Sequence, residues 1–281
     1  TNLLPQFDNR DQESTLTDAR VVAEMFHNLQ SSQKALVRSY AGWEMMYKFF
    51  ISPDRHMPFI ESILSPKVLE ENGFDGVLLL NRSCRDVYSS FKSSETGKYG
   101  PPPDELVTLF TDNKNLCPRY HESDAGFVAL GGTVYSFVSY PVDPVEVVVG
   151  PYAPPGRGVI FFELSDAKLA GIASVSQVKL RLLMPDQVNS FPRMTQAVAT
   201  GIDVWPLDDD TYAFLLSYQL THPSGSHFAL LGETERRSLH RGRQVLSFFE
   251  TAIIFCCVLV IILVGGMLEL ILLRPLSRLH K

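Results

Sequence analysis

Apolar residues dominate one stretch of the chain and alternate with polar ones nearly everywhere else. From Ala252 to Leu273 the sequence reads AIIFCCVLVIILVGGMLELILL, and Glu269 is its one charged residue. Twenty-two helical residues at about 1.5 Å each cover about 33 Å, close to the hydrocarbon thickness of a bilayer. Soluble domains seldom need so many apolar residues without a polar face, so residues 252–273 predict a transmembrane helix. Glu269 lies one turn from the end, where a carboxylate reaches the headgroup region at small cost.

Asp11 to Ile51 predicts one long helix, free of proline and with a single glycine, Gly42. Within it Val22, Phe26, Leu29, Gln33, Leu36, Tyr40, Trp43, Tyr47 and Phe50 alternate spacings of four and three. Such a seam serves either a dimeric coiled coil or one face packed on a sheet, and its aromatic second half suits the sheet better. Ser52-Pro53 ends it. A short helix follows at Pro66 to Asn72, with Ser65 before it and Gly73 past its end.

Strand patterns then take over. Phe74 to Leu80 and Arg85 to Ser90 flank Asn-Arg-Ser-Cys as a hairpin, and Lys92 to Pro103 reads as a loop rich in Ser, Gly and Pro. Asp104 caps a helix to about Phe110, and Gly126–Leu130 with Thr133–Tyr140 make a second hairpin across Gly131-Gly132. Val159–Leu164, a helix capped by Ser165, and Val178–Met184 follow. A last hairpin, Thr211–Gln219 with His227–Glu233, leads into a helix from Glu235 to Phe249 that runs on into the membrane span. A long helix backing an antiparallel meander is an α+β plan of the PAS-like sensor kind, followed by one transmembrane helix. Because the last strand hands directly to the membrane helix, a shift of the sheet can be passed on mechanically.

Charge orients the span. Arg274, Arg278 and Lys281 follow it without an acid, which marks the cytoplasmic side, although Arg236, Arg237, Arg241 and Arg243 precede it among glutamates. Pro275 suits a first helical turn, and Leu276 and Leu279 begin a new apolar spacing, so signal transmission is expected through Arg274, Pro275 and Leu276. Of the formal net charge of −6, residues 252–281 carry +2 and leave −8 on residues 1–251, which argues against nucleic acid as a partner. The first residue is Thr, with no charged and apolar leader ahead of Asp8, so a longer precursor is expected.

The chemistry sought leaves little. No G-x-S-x-G, Walker loop, H-E-x-x-H or dinucleotide fingerprint occurs, so neither catalysis nor a cofactor has an anchor. His222 and His227 sit on the two arms of one hairpin without further metal ligands and read as solvated turn histidines, and Asp208-Asp209-Asp210 reads as a solvated turn. Cys84 and Cys117 lie in polar loops and either pair as a disulfide, in an oxidising compartment, or remain thiols; Asn81-Arg82-Ser83 matches a glycosylation acceptor. The aromatic group Tyr40, Trp43 and Tyr47 either lines a ligand pocket or packs on the sheet, and Tyr135 and Tyr140 are pocket candidates of the same kind.

Several stretches together resemble the fourth class of CHASE extracytoplasmic sensor domains. Tyr40 to Phe49, reading YAGWEMMYKF, is similar to that family's W-A-x-W-D-D-x-Y helix, matching at Trp43 and Tyr47 and differing at Tyr40, Glu44 and Met45. Phe59 to Ser62, Leu69, the strand Val77–Leu80 and the Gly158–Leu164 segment follow in the family's order, and Glu235 to Gly242 resembles its exit into the membrane. Leu273 to Leu279 is similar to the start of a HAMP linker. The resemblance implies a sensor at 1–251, a span at 252–273 and a cytoplasmic linker from 274 to 281. It also implies a further span upstream and a histidine kinase or cyclase output downstream. The expected partners are a small-molecule or protein ligand, the lipid bilayer and a second copy of the chain. A membrane-anchored ecto-enzyme or an adhesion module are the competing readings; the first needs a convergent catalytic set, and the second needs no HAMP-like exit.

Overall fold

One helix carries both halves of the fold. In the structure, a computed structural model that describes residues 4–112, 124–142, 154–189, 193–222 and 225–268, α1 runs from Leu4 to Ala41. At 1.5 Å per residue that is roughly 57 Å. Its buried positions are Asp11, Thr15, Ala19, Val22, Phe26, Gln33, Val37 and Ala41. Intervals of four outnumber intervals of three, so the stripe follows the 3.6-residue period of a straight helix on a globular core rather than the expected heptad seam. The seam's one polar position is accounted for, since Ser136 Oγ donates to the buried Gln33 Oε1 at 2.8 Å.

The single helix expected to reach Ile51 breaks at Gly42. Trp43 takes an extended backbone (φ −72°, ψ 129°), and α2 (Glu44–Ile51) starts after it. Glycine is the weakest helix former after proline, and a turn there lets Met46, Phe49 and Phe50 fold back under the sheet. Pro53, expected only to end a helix, also begins α3 (Pro53–Ile63), because its fixed φ suits a first helical position. The predicted short helix is α4 (Pro66–Glu71), again with proline at its start.

The strands divide between two antiparallel sheets where one meander was expected. The first contains β1 (Gly76–Asn81), β2 (Asp86–Lys92), β3 (Tyr99–Gly100), β4 (Asp124–Leu130), β5 (Thr133–Pro141) and β6 (Gly156–Glu163), in the order β3-β2-β1-β6-β5-β4. The second contains β7 (Lys179–Leu183), β8 (Ile202–Pro206), β9 (Thr211–Gln219) and β10 (His227–Glu235), in the order β7-β10-β9-β8. α6 (Asp166–Ser176) connects them. The Gly131-Gly132 turn has φ of 53° and 78°, as a two-residue hairpin of this twist requires. In the β1–β2 turn Cys84 also has a positive φ, 60°, and is disulfide-bonded; Cys117, its partner in one of the two readings of the sequence, lies outside the described residues.

Alternation assigns each face. On the six-stranded sheet Val77, Leu79, Val138, Ile160 and Phe162 face α1 to α4, while Leu78, Leu80, Phe137, Val159 and Phe161 face α5 (Asp104–Asp112). On the four-stranded sheet Phe214, Leu216, Phe228 and Leu230 face α1. Leu215, Ala229 and Leu231 face α7 (Pro185–Asn189) and α8 (Met194–Thr200). The two sheets share one core: Phe127 of β4 lies 4.9 Å from Phe228 and 5.8 Å from Tyr218, and Phe26 of α1 touches all three rings.

The exit agrees with expectation. α9 runs from Arg237 to Leu268, and its window Ser247–Val264 has a mean hydropathy of 2.7 with none of it buried in the chain. It is long and apolar enough to cross a membrane. Residues 269–281 lie outside the described residues, and with them Arg274, Pro275 and Leu276.

Because Phe26 anchors a core common to both sheets, Phe26→Ala is expected to cost about 3–5 kcal/mol and to leave one cooperative transition. Urea unfolding followed by tryptophan fluorescence tests this; a loss under about 1 kcal/mol or two separate transitions would contradict the shared core.

Candidate functional site

Among the described residues, the face of the six-stranded sheet turned away from α1 is only partly covered. Leu106 and Phe110 of α5 pack on its middle, leaving one end open between the β2–β3 loop and the Leu130-Gly131 turn. There a cavity of about 440 Å³ opens, within the range of small-molecule sites. Phe91, Tyr135 and Leu130 form its floor, Tyr99 and Pro101 to Pro103 its apolar wall, and Ser93, Ser94 and Thr96 bring hydroxyls. Glu95 and Lys98 add one charge of each sign.

Tyr135 is 2% exposed, and burial first, then the charges of Glu163 and Asp75, push its phenol up to about 12. Hydrogen bonds from the Ser94 and Thr133 side chains oppose the shift. Tyr99 donates its hydroxyl to Phe74 O at 2.7 Å and so presents mainly its ring; burial, Asp75 and Glu70 push it to about 12 as well. Beneath them Asp75 is held in place, its Oδ2 accepting from Glu163 N at 2.7 Å and from Lys168 Nζ at 3.3 Å. Lys168, on α6, also donates to Glu163 O at 2.9 Å. At pH 7 the cavity therefore offers neutral phenols, hydroxyls and ring faces, able to bind and orient a small polar molecule.

The sequence candidates separate across the sheet. Tyr135 and Tyr140 are five residues apart on β5 and so face opposite sides, and only Tyr135 lines the large cavity. Tyr40 borders a void of about 20 Å³, room for one water at most. Its ring lies 4.7 Å from Trp43 and 5.3 Å from Phe74. Trp43 is 40% exposed, while Tyr47 and Tyr140 are half-buried against the same helix-covered core. Ser94, Thr96 and Lys98 of the β2–β3 loop and Tyr99 of β3 escaped sequence reasoning; the lone tyrosine ahead of three prolines was the available signal. Among the described residues no group of three or more His, Cys, Asp or Glu side chains converges on a metal position.

The CHASE4 domain matches residues 25–183, which take in the whole six-stranded sheet, α6 and β7. This chain belongs to the CHASE4 family. Its fold is that of solved sensor domains. The extracellular domain of vpHK1S-Z8, assigned to the histidine kinases, superposes with a TM-score of 0.52 at 10% identity, over 85% of this chain and 96% of that one. A domain of a sensory box/GGDEF family protein from Vibrio parahaemolyticus gives 0.53 at 11% identity, over 83% and 98%. The ligand-binding domain of the Campylobacter jejuni chemoreceptor Tlp3, in complex with L-valine, gives 0.52 at 10%, over 84% and 97%. No curated protein matches the sequence. A CHASE4 sensor domain joined to the bare apolar stretch of α9 is the sensing portion of a membrane-anchored receptor.

The buried phenols make CHASE4 stability depend on pH. An unfolded tyrosine ionises near 10, whereas Tyr135 and Tyr99 hold their protons to about 12 in the fold. Between these values the folded state binds more protons, so stability is full below about pH 10 and falls as pH rises toward 12. Tyr135→Phe is expected to make that fall shallower, measured as the urea midpoint from about pH 9 to about pH 11; identical slopes would contradict the raised phenol.

Proposed function

We propose that the CHASE4 cavity beside Tyr135 binds a small polar molecule, and that α9 carries the resulting shift across the membrane to the cytoplasm. The single observation behind this is the cavity itself: it lies on the sheet face that α1 leaves free, walled by one loop and floored by buried, hydrogen-bonded groups. L-valine in the Tlp3 domain, of the same fold, supports a ligand of that size class. Arg274, Pro275 and Leu276 then begin a HAMP-like linker, and the output, whether histidine kinase or cyclase, follows it. The receptor acts as a homodimer, as linkers of that kind need a partner helix. Catalysis is assigned to the output that follows the linker.

Two states separated by a few kcal/mol are enough for a ligand of differential affinity to switch them. Thermal-shift titration of the chain against L-valine, other amino acids, amines and carboxylates is expected to find a stabilising compound. Saturation at about a hundredfold over Kd adds about 2.7 kcal/mol. Ser94→Trp, which fills the cavity, should abolish the shift and Trp43→Ala should keep it; the reverse pattern would move the site to the α1–α2 turn. For topology, protease added to intact cells should trim residues 1–251 and spare a tag at Lys281. Loss of the tag would overturn the orientation.

A further inference from the structure

The hairpin of β9 and β10 belongs to the four-stranded sheet, yet its tip is hydrogen-bonded to the other one. Thr221 N donates to Phe127 O at 2.7 Å, and Ala129 N donates to His222 O at 3.0 Å. Residues 221 and 222 thereby run parallel to the edge strand β4, with Val128 opposite His222. The approach is so close that a methyl group on Gly126 would collide with Thr221 Oγ1, as well as with the Phe137 ring of β5. Leu220 and Phe228, which flank the tip, belong to the core that also holds Phe127. The tip has a second attachment: His222 Nε2 lies 2.9 Å from Glu105 Oε1. Glu105 is in the first turn of α5, directly after the cavity's Pro101 to Pro103 and before the Leu106 that covers the sheet.

The base of the same hairpin is fastened at the membrane end. Arg236 follows β10 directly; its N donates to Asp210 O at 2.8 Å, and its guanidinium pairs with Asp8 of α1 and lies 5.1 Å from the Tyr212 ring. α9 begins at the next residue. Two nine-residue strands joined by an unbroken ladder from Thr211↔Glu235 to Gln219↔His227 make a stiff strip of roughly 30 Å between these attachments.

We propose that the β9–β10 hairpin is the lever that couples the two sheets: its tip, docked on β4 and tied to α5, takes up movement of the cavity wall, and its base delivers it to α9. Gly126, Thr221, His222 and Glu105 are then positioning residues, remote from any ligand. This rests on the reading that the cavity senses and α9 transmits, but its test needs no ligand, so a failed ligand search would leave the outcome unaffected.

Amide hydrogen exchange on the full chain in lipid nanodiscs reads the lever at both ends. Gly126→Ala is expected to speed exchange of the Ala129 and Thr221 amides about tenfold and that of Arg236, at the far end, severalfold. The Leu79 and Phe214 amides should hold their rates. Thr221→Pro removes the amide donor without crowding Gly126, and gives the same reading at Ala129 and Arg236 if the alanine variant does not fold. As a control, Ile60→Ala loosens the opposite face of the six-stranded sheet and should leave Arg236 unchanged. Faster exchange at Ala129 with an unchanged Arg236, no change at either, or an equal rise at Arg236 in Ile60→Ala would each overturn the lever.

Discussion

Everything in this fold depends on the burial of one stripe along α1. Ala19, Val22 and Phe26 enter the core between the two sheets, and Val37 and Ala41 enter the core behind the six-stranded one. Neither sheet closes its inner face without the helix, so the two halves are stabilised together and the chain between them is held at fixed spacing. The polar members of the stripe obey the same constraint, since a buried group without a partner is costly. Gln33 meets Ser136, and Thr15 Oγ1 lies 3.0 Å from Thr234 Oγ1 on the last strand.

That burial decides where the cavity lies. A sheet has two faces, and α1 to α4 pack against one of them. Among the described residues the other is covered by the short α5, and its end lies open to the β2–β3 loop, where the cavity forms. The acids beneath Tyr135 serve order rather than chemistry: Asp75 accepts a backbone amide and Lys168, and so joins the cavity floor to α6 and through it to the second sheet. The cavity in this CHASE4 chain thus grows from an asymmetry of covering.

At the membrane end the same logic produces a joint. α1 begins beside the start of α9, and Asp8, Tyr212 and Arg236 come together there, with Tyr212 donating to Asp8 Oδ1 at 2.9 Å. Burial, then Asp8, push the Tyr212 phenol to about 12, which keeps it a donor across the physiological range. Beyond the joint, Phe248, Phe249 and Ile261 are exposed among the described residues, and lipid is the medium that suits them.

Local periodicity was enough to read the long first helix, the hairpins at Gly131-Gly132 and before the exit, the apolar run of α9 and the CHASE4 motif around Trp43 and Tyr47. Each is set by neighbours a few residues apart, through side-chain spacing, turn chemistry and proline or glycine geometry. The division of the strands into two sheets, the halt at Gly42 and the docking of Thr221 and His222 on β4 were not legible in this way, because edge pairing is chosen among strands up to a hundred residues apart. The cavity was hidden for the same reason. Tyr135 could be suspected as a ring on a strand, but Ser94, Thr96 and Tyr99 look like ordinary loop residues until the sheet face beneath them is known to be empty. Side-chain spacing and turn chemistry thus gave most of the elements and the family motif, whereas tertiary packing chose the face on which the cavity lies, since that follows from where α1 places its apolar stripe.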